Sequence, residues 1–180
     1  MELDEALRGR RSIRNYKGEA VPMDLVQQVL EAGTLAPSAH NGQQWRFSVL
    51  TGKAKKRVTD VFRTDLSALS KKGGSIGSGF ESCRIMEQAP VVIIVWNAGR
   101  AGFETHIHSV AAAIENMLLK AYALGLGTLW IGDVFEASEG LIQYFGKHWE
   151  LTAAIALGWP AENPNPRPRK SVSEVAEFLD

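Results

Sequence analysis

One cysteine, Cys83, stands in 180 residues. That excludes an internal disulfide and any thiolate metal cluster built from a single chain. Net charge is also missing: 20 Lys and Arg face 20 Asp and Glu. Nothing global therefore attracts a nucleic acid or an anionic membrane, and a small anionic ligand fits the local arginine clusters better. Long apolar runs are missing as well. The longest, Ala89 to Trp96, is far too short to span a bilayer. No apolar leader core opens the chain, since Glu2, Asp4 and Glu5 come at once. The expected setting is a reducing cytoplasm. Metal-ligand spacing is missing too, because His106 and His108 lie two apart and suit neither i,i+4 ligation nor H-E-x-x-H. They read as surface or interface residues, and the expected metal complement is none. With 45% hydrophobic and 22% charged residues, the composition is that of an ordinary globular protein. One domain over 1–180, with a substantial core, is expected.

What is present starts with Arg10-Arg11-Ser12-Ile13-Arg14, after a short helix over Glu2 to Arg8 that Gly9 can close. An extended backbone there puts Arg10, Ser12 and Arg14 on one side and Ile13 on the other. Guanidinium forks and a hydroxyl then converge, which suits a phosphate or an electron-rich ring oxygen. A solvated cluster or ion-pair network is the alternative.

Along the chain, Val26, Val29, Leu30 and Gly33 recur at helical spacing after Val21-Pro22. The stretch from Leu35 to Trp45 is a loop, punctuated by Pro37 and Gly42. Ser38, Asn41, Gln43 and Gln44 offer both donors and acceptors, as a flavin or nicotinamide edge requires. The same side chains could instead cap their own turn. His40 reads as an ordinary loop histidine. Trp45 to Leu50 reads as a strand and Lys53 to about Leu69 as a basic-faced helix.

Four glycines from Gly73 to Gly79 suggest a mobile loop, in the manner of a lid. A phosphate loop is rejected there, because no Lys-Ser/Thr follows and no buried strand precedes. Ala89 to Trp96 reads as a central strand covered on both faces. Thr105 to Leu124 is apolar nearly all round, so it must be buried nearly all round, at a subunit interface or within one subunit. We expect an obligate homodimer. Thr128 to Asp133 reads as a strand and turn, Phe135 to Phe145 as a helix, and Leu151 to Gly158 as a small-residue strand. Prolines hold the tail extended, so that Arg167 and Arg169 point the same way, toward an anion or into solvent. A last helix is expected over Ser173 to Leu179. Strands alternating with helices make the class mixed α/β or α+β.

Four stretches carry a resemblance: R-R-S-I-R at 10–14, P-S-A-H-N-G-Q-Q-W at 37–45, G-L-G-T-L-W-I-G at 125–132, and G-W-P with N-P-R-P-R at 158–169. In this order the chain resembles the FMN-dependent nitroreductases over nearly its whole length, as a short member. The resemblance implies an α+β fold with a central, mostly antiparallel sheet flanked by helices. It implies an intertwined homodimer with FMN at the subunit interface. It implies NADH or NADPH as electron donor, in a ping-pong cycle that passes electrons to a nitroaromatic, quinone or similar small oxidant. Other reactions on the scaffold (flavin destruction, dehalogenation, ene reduction) and non-enzymatic FMN binding are the alternatives. By resemblance, Arg10, Arg11, Ser12 and Arg14 contact the cofactor. Leu35, Ser38, Ala39 and Asn41 reach it from the partner subunit. Leu129, Trp130, Ile131 and Gly132 lie beside its ring, and Arg167 and Arg169 grip its phosphate. No protein acid or base is implied, since flavin N5 carries the hydride. Two departures stand out: Gln43-Gln44-Trp45 replaces Q-P-W, and Gly158-Trp159-Pro160 replaces G-Y-P.

Overall fold

The computed structural model describes residues 2–99, 104–135 and 138–179. Helix α1 (Leu3–Gly9) carries Asp4 and Glu5 in its first turn and Arg8 in its last, the arrangement that suits the helix dipole. The chain then runs extended. Ile13 N–H donates to Thr128 O at 2.9 Å, and Ser12 bridges Thr128 in parallel fashion. A Cβ at Gly127 would stand 2.8 Å from Ile13 Cγ1. Glycine there lets the arginine stretch lie flat on its neighbour while Ile13 enters the core.

Helix α2 (Met23–Thr34) starts after Pro22 and buries Val26, Val29 and Gly33. Strand β1 (Trp45–Leu50) leads to the long helix α3 (Gly52–Lys71). Helix α4 (Gly79–Gln88) has no counterpart in the sequence reading. Glycines precede it, and its buried side combines Cys83, Ile85 and Met86 with the small Gly79 and Ser82, so the face is not marked by apolar residues alone. Strand β2 (Val91–Asn97) has all seven residues buried, as expected of a central strand. Helix α5 (Glu104–Ala123) ends in a Schellman motif. Gly125 sits at φ +77°, and Leu126 N–H reaches Ala121 O at 2.9 Å while Gly125 N–H reaches Tyr122 O.

Strand β3 (Gly127–Ile131), helix α6 (Glu139–Phe145) and strand β4 (Glu150–Gly158) complete the body. The expected helix from Phe135 is shorter, since 133–135 form a separate single turn. Glu136 and Ala137, inside that expectation, lie outside the described residues. Helix α7 spans only Val172–Val175, closed by a Ser171–Glu174 capping box. The expected helix to Leu179 does not form. Phe178 and Leu179 are 84% and 82% exposed, so no buried face repays ordering the backbone.

The four strands lie in the order β1-β2-β4-β3, every neighbour antiparallel. Alternation sorts the side chains. Val92, Ile94 and Trp96 face Val58, Phe62 and Leu66 of α3, Met86 of α4 and Leu141 of α6. Val91, Ile93 and Val95 face Val26 and Val29 of α2 and Val110, Ile114 and Met117 of α5. The result is a three-layer α+β molecule with a fully antiparallel sheet in the middle. Ala153, Ala154 and Ala156 of β4 are fully buried; their small side chains let helices approach both faces.

Candidate functional site

The arginine stretch and the tail, about 150 positions apart, meet at one end of this frame. Lys17 N–H donates to Trp159 O and Ala161 N–H to Asn15 O, while Tyr16 bridges Pro160. Glu162 completes the junction. Its Oε1 accepts from Arg14 N at 2.5 Å and Asn15 N at 3.2 Å, and its Oε2 from Asn15 Nδ2 at 2.6 Å. Burial pushes the Glu162 carboxyl up, but these bonds and the Arg14 charge outweigh it and hold the group below its ordinary range. Tyr16 lies beneath, its hydroxyl 2.9 Å from Ile13 O and 3.2 Å from Ala156 O. Burial, with the Glu162 charge adding to it, raises its pKa strongly, so it stays a neutral donor.

Between the two arms lies a cleft of about 540 Å³, lined by Arg8, Arg10, Arg11, Ser12, Arg14, Arg167 and Arg169, with Leu7 and the Pro164–Pro166 backbone run. That size suits a whole small-molecule ligand rather than a single ion. Among the described residues only Arg10 of these has a carboxylate within ion-pair distance; the Arg14 charge reaches Glu162 and Glu81 from further away. The Arg10 Nε is 3.2 Å from Glu115 Oε1, yet off the hydrogen-bond direction, and is buried without an aligned acceptor. Arg11 Nη1 donates to Arg8 O and Arg10 O, Arg14 Nη1 to Ser12 O, and Arg169 Nη1 to Pro168 O. Carbonyls hold these heads but bring no countercharge. Six arginines line one space and one carboxylate, Glu115, lies within ion-pair distance of any of them among the described residues, an arrangement that fits a phosphate or other dianion.

The remaining residues singled out in the sequence sit elsewhere in this chain. Ala39 N–H donates to Ser109 Oγ, and Gln43 N–H to Ser38 Oγ. Ser38 thus does cap its own loop, which carries none of the cleft wall. His40, Asn41 and Gln43 take φ of +53°, +52° and +44°. Three non-glycine residues in the left-handed region make this a strained segment of the backbone. Leu35 at its entry is 81% exposed. Leu129 and Ile131 point into the core and Trp130 outward, so Leu129 and Ile131 have only backbone to offer a ligand.

Sequence reasoning missed Arg8, which follows the helical face of α1 rather than any motif. It missed Glu162, an isolated glutamate with no local pattern. It also missed Asp133, whose Oδ2 accepts from Ser78 Oγ at 2.6 Å and Ser82 Oγ at 2.5 Å. Those bonds tie the Gly-rich turn before α4 to the end of β3, a contact that no sequence spacing announces.

A three-layer α+β chain that gathers arginines from both termini around one cleft has the charge and the space to suit a phosphorylated ligand. Its family follows from comparison with known proteins. Residues 7–159 match the model of the nitroreductase family, and the chain belongs to that family. It is 31% identical over 176 residues to a Methanothermobacter thermautotrophicus protein provisionally named NADH dehydrogenase/NAD(P)H nitroreductase, covering 93% of this chain and 82% of that one. It is 26% identical over 174 residues to the 5,6-dimethylbenzimidazole synthase of Rhodospirillum rubrum, covering 89% and 82%. A provisionally assigned nitroreductase of Desulfovibrio desulfuricans, crystallised with FMN, superposes with a TM-score of 0.81 at 31% identity, covering 100% of this chain and 98% of that one.

Proposed function

We propose that the chain, 1–180, works as one FMN-binding domain and an NAD(P)H-dependent oxidoreductase that runs a ping-pong cycle. Family membership makes it a nitroreductase-type flavin oxidoreductase. The observation that carries the site assignment is the arginine cleft, nearly free of countercharge. Arg10, Arg11, Ser12, Arg14, Arg167 and Arg169 would hold the phosphate and polar side chain of the cofactor. When bound, FMN supplies a hydride acceptor and donor between NAD(P)H and a small oxidant such as a nitroaromatic or quinone. Arg10 or Arg14 would stabilise negative charge developing at the ring edge. Trp130 and Gly132 at the end of β3, with the Leu129 and Ile131 backbone, would border the ring.

The cleft holds no wall from Leu35, Ser38, Ala39 or Asn41. We assign that loop to the cofactor of a second copy, which makes the working unit a homodimer. Supporting this, Leu3, Leu7, Leu35 and Phe178 are each more than half exposed. Helix α5 buries Val110, Ala113, Ile114 and Met117 against its own chain and leaves Ala111, Ala112 and Leu119 only partly covered. No helix of the described residues is long and apolar enough to cross a membrane; a reducing cytoplasm suits the lone buried thiol.

A second reading, other flavin chemistry on this scaffold, has in its favour the relative named 5,6-dimethylbenzimidazole synthase. One experiment tests both. The visible spectrum of the purified protein is recorded with FMN, then with anaerobic NADH or NADPH. Bleaching by either nicotinamide supports the reductase; bands that persist with both favour the second reading; no flavin uptake overturns both.

A further inference from the structure

The tail that brings Arg167 and Arg169 to the cleft is nearly unattached. Among the described residues, nothing from 163 to 170 hydrogen-bonds to the body of the chain. The last attachment before it is Glu162, five positions before Arg167. From there Pro164, Pro166 and Pro168 stiffen the chain. Where Glu162 sits therefore decides where both arginines sit. We propose that Glu162 is a positioning residue for the cofactor phosphate: it clips the tail to the backbone of the arginine stretch, so that both cationic arms face one ligand. This rests on the reading of the cleft as the FMN site.

The choice of partners matters. Arg14, Tyr16 and Arg84 all lie within electrostatic reach of Glu162. Even so, its oxygens accept from two backbone N–H groups and an Asn15 amide, and it forms no ion pair within 4 Å among the described residues. A carboxylate satisfied in this way fixes the geometry and leaves the guanidiniums unpaired. An arginine-paired carboxylate at this point would fix the tail equally well and compete with the phosphate.

The test is a double-mutant cycle read by FMN titration of apoprotein, followed by flavin fluorescence, with inorganic phosphate as competitor. Wild type, Glu162→Ala, Arg167→Ala and the double variant are compared. Glu162→Ala is expected to weaken FMN about tenfold, and Arg167→Ala to cost clearly less in that background than in wild type. Glu162→Gln keeps a carbonyl for the two backbone donors and is expected to restore most of the affinity. Strict additivity, or unchanged affinity in a folded Glu162→Ala, overturns the proposal. If Glu162→Ala does not fold, Asn15→Ala removes one of the three bonds, and the same cycle is read on it with the same criteria. A wild type that ignores FMN removes the reading of the cleft; a wild type that binds, with an additive cycle, removes only the role of Glu162.

Discussion

Replacing Arg167 by Ala separates a ligand-binding arginine from a structural one. Arg167 is exposed and carries no hydrogen bond or ion pair among the described residues. Surface changes of that kind move folding stability by no more than about 0.5 kcal/mol. Removing one of several like charges can even raise it slightly, since self-repulsion falls. The ligand feels the change differently. A charge-assisted hydrogen bond contributes about 1.5–3 kcal/mol, and an exposed arginine belongs at the lower end because water and salt screen it. About tenfold weaker FMN binding is expected, with a shallower dependence of affinity on salt. The assay is titration of apoprotein with FMN at two ionic strengths, beside a thermal melt without ligand. A melting point that falls by several degrees would show that Arg167 holds the fold. Unchanged FMN affinity would refute the phosphate assignment.

Other outcomes follow from the same geometry. A Cβ at Gly158 would lie 2.4 Å from Pro90 Cδ and 3.0 Å from Tyr16 Cδ1; both neighbours are rings, so Gly158→Ala should cost about 1–3 kcal/mol, and an unchanged melting temperature would contradict this. Glu162 has a lowered carboxyl pKa in the fold, so its stabilisation is present above the ordinary glutamate range and lost as pH falls through the lower folded value. The stability gap between wild type and Glu162→Ala should therefore narrow with acid, and a gap that widens would reverse the sign of the argument. Cys83 is buried, and desolvation pushes its thiol up to about 11. It should ignore a disulfide reagent in the native protein at pH 8 and react on unfolding; rapid native labelling would show an open route to it.

Local chemistry made much of this molecule legible from its sequence. Trp45–Leu50 and Ala89–Trp96 announce strands because β-branched and aromatic residues have a two-residue period or none that is polar. Gly125 announces a helix end because only a residue free of Cβ enters that turn without strain. Residue type made the arginines of 10–14 and of the tail candidate anion ligands, with a solvated cluster as the alternative. The meeting of those two stretches was decided by the tertiary structure. Glycine at 127 allows close approach, and Glu162 bonds across 148 positions, a separation that no periodicity encodes. Tertiary structure also stopped the last helix at Val175: apolar spacing promises a face, but a helix persists only where something covers it. It further turned the Gly-rich segment toward Asp133, because a carboxylate finds its donors through space and not along the chain.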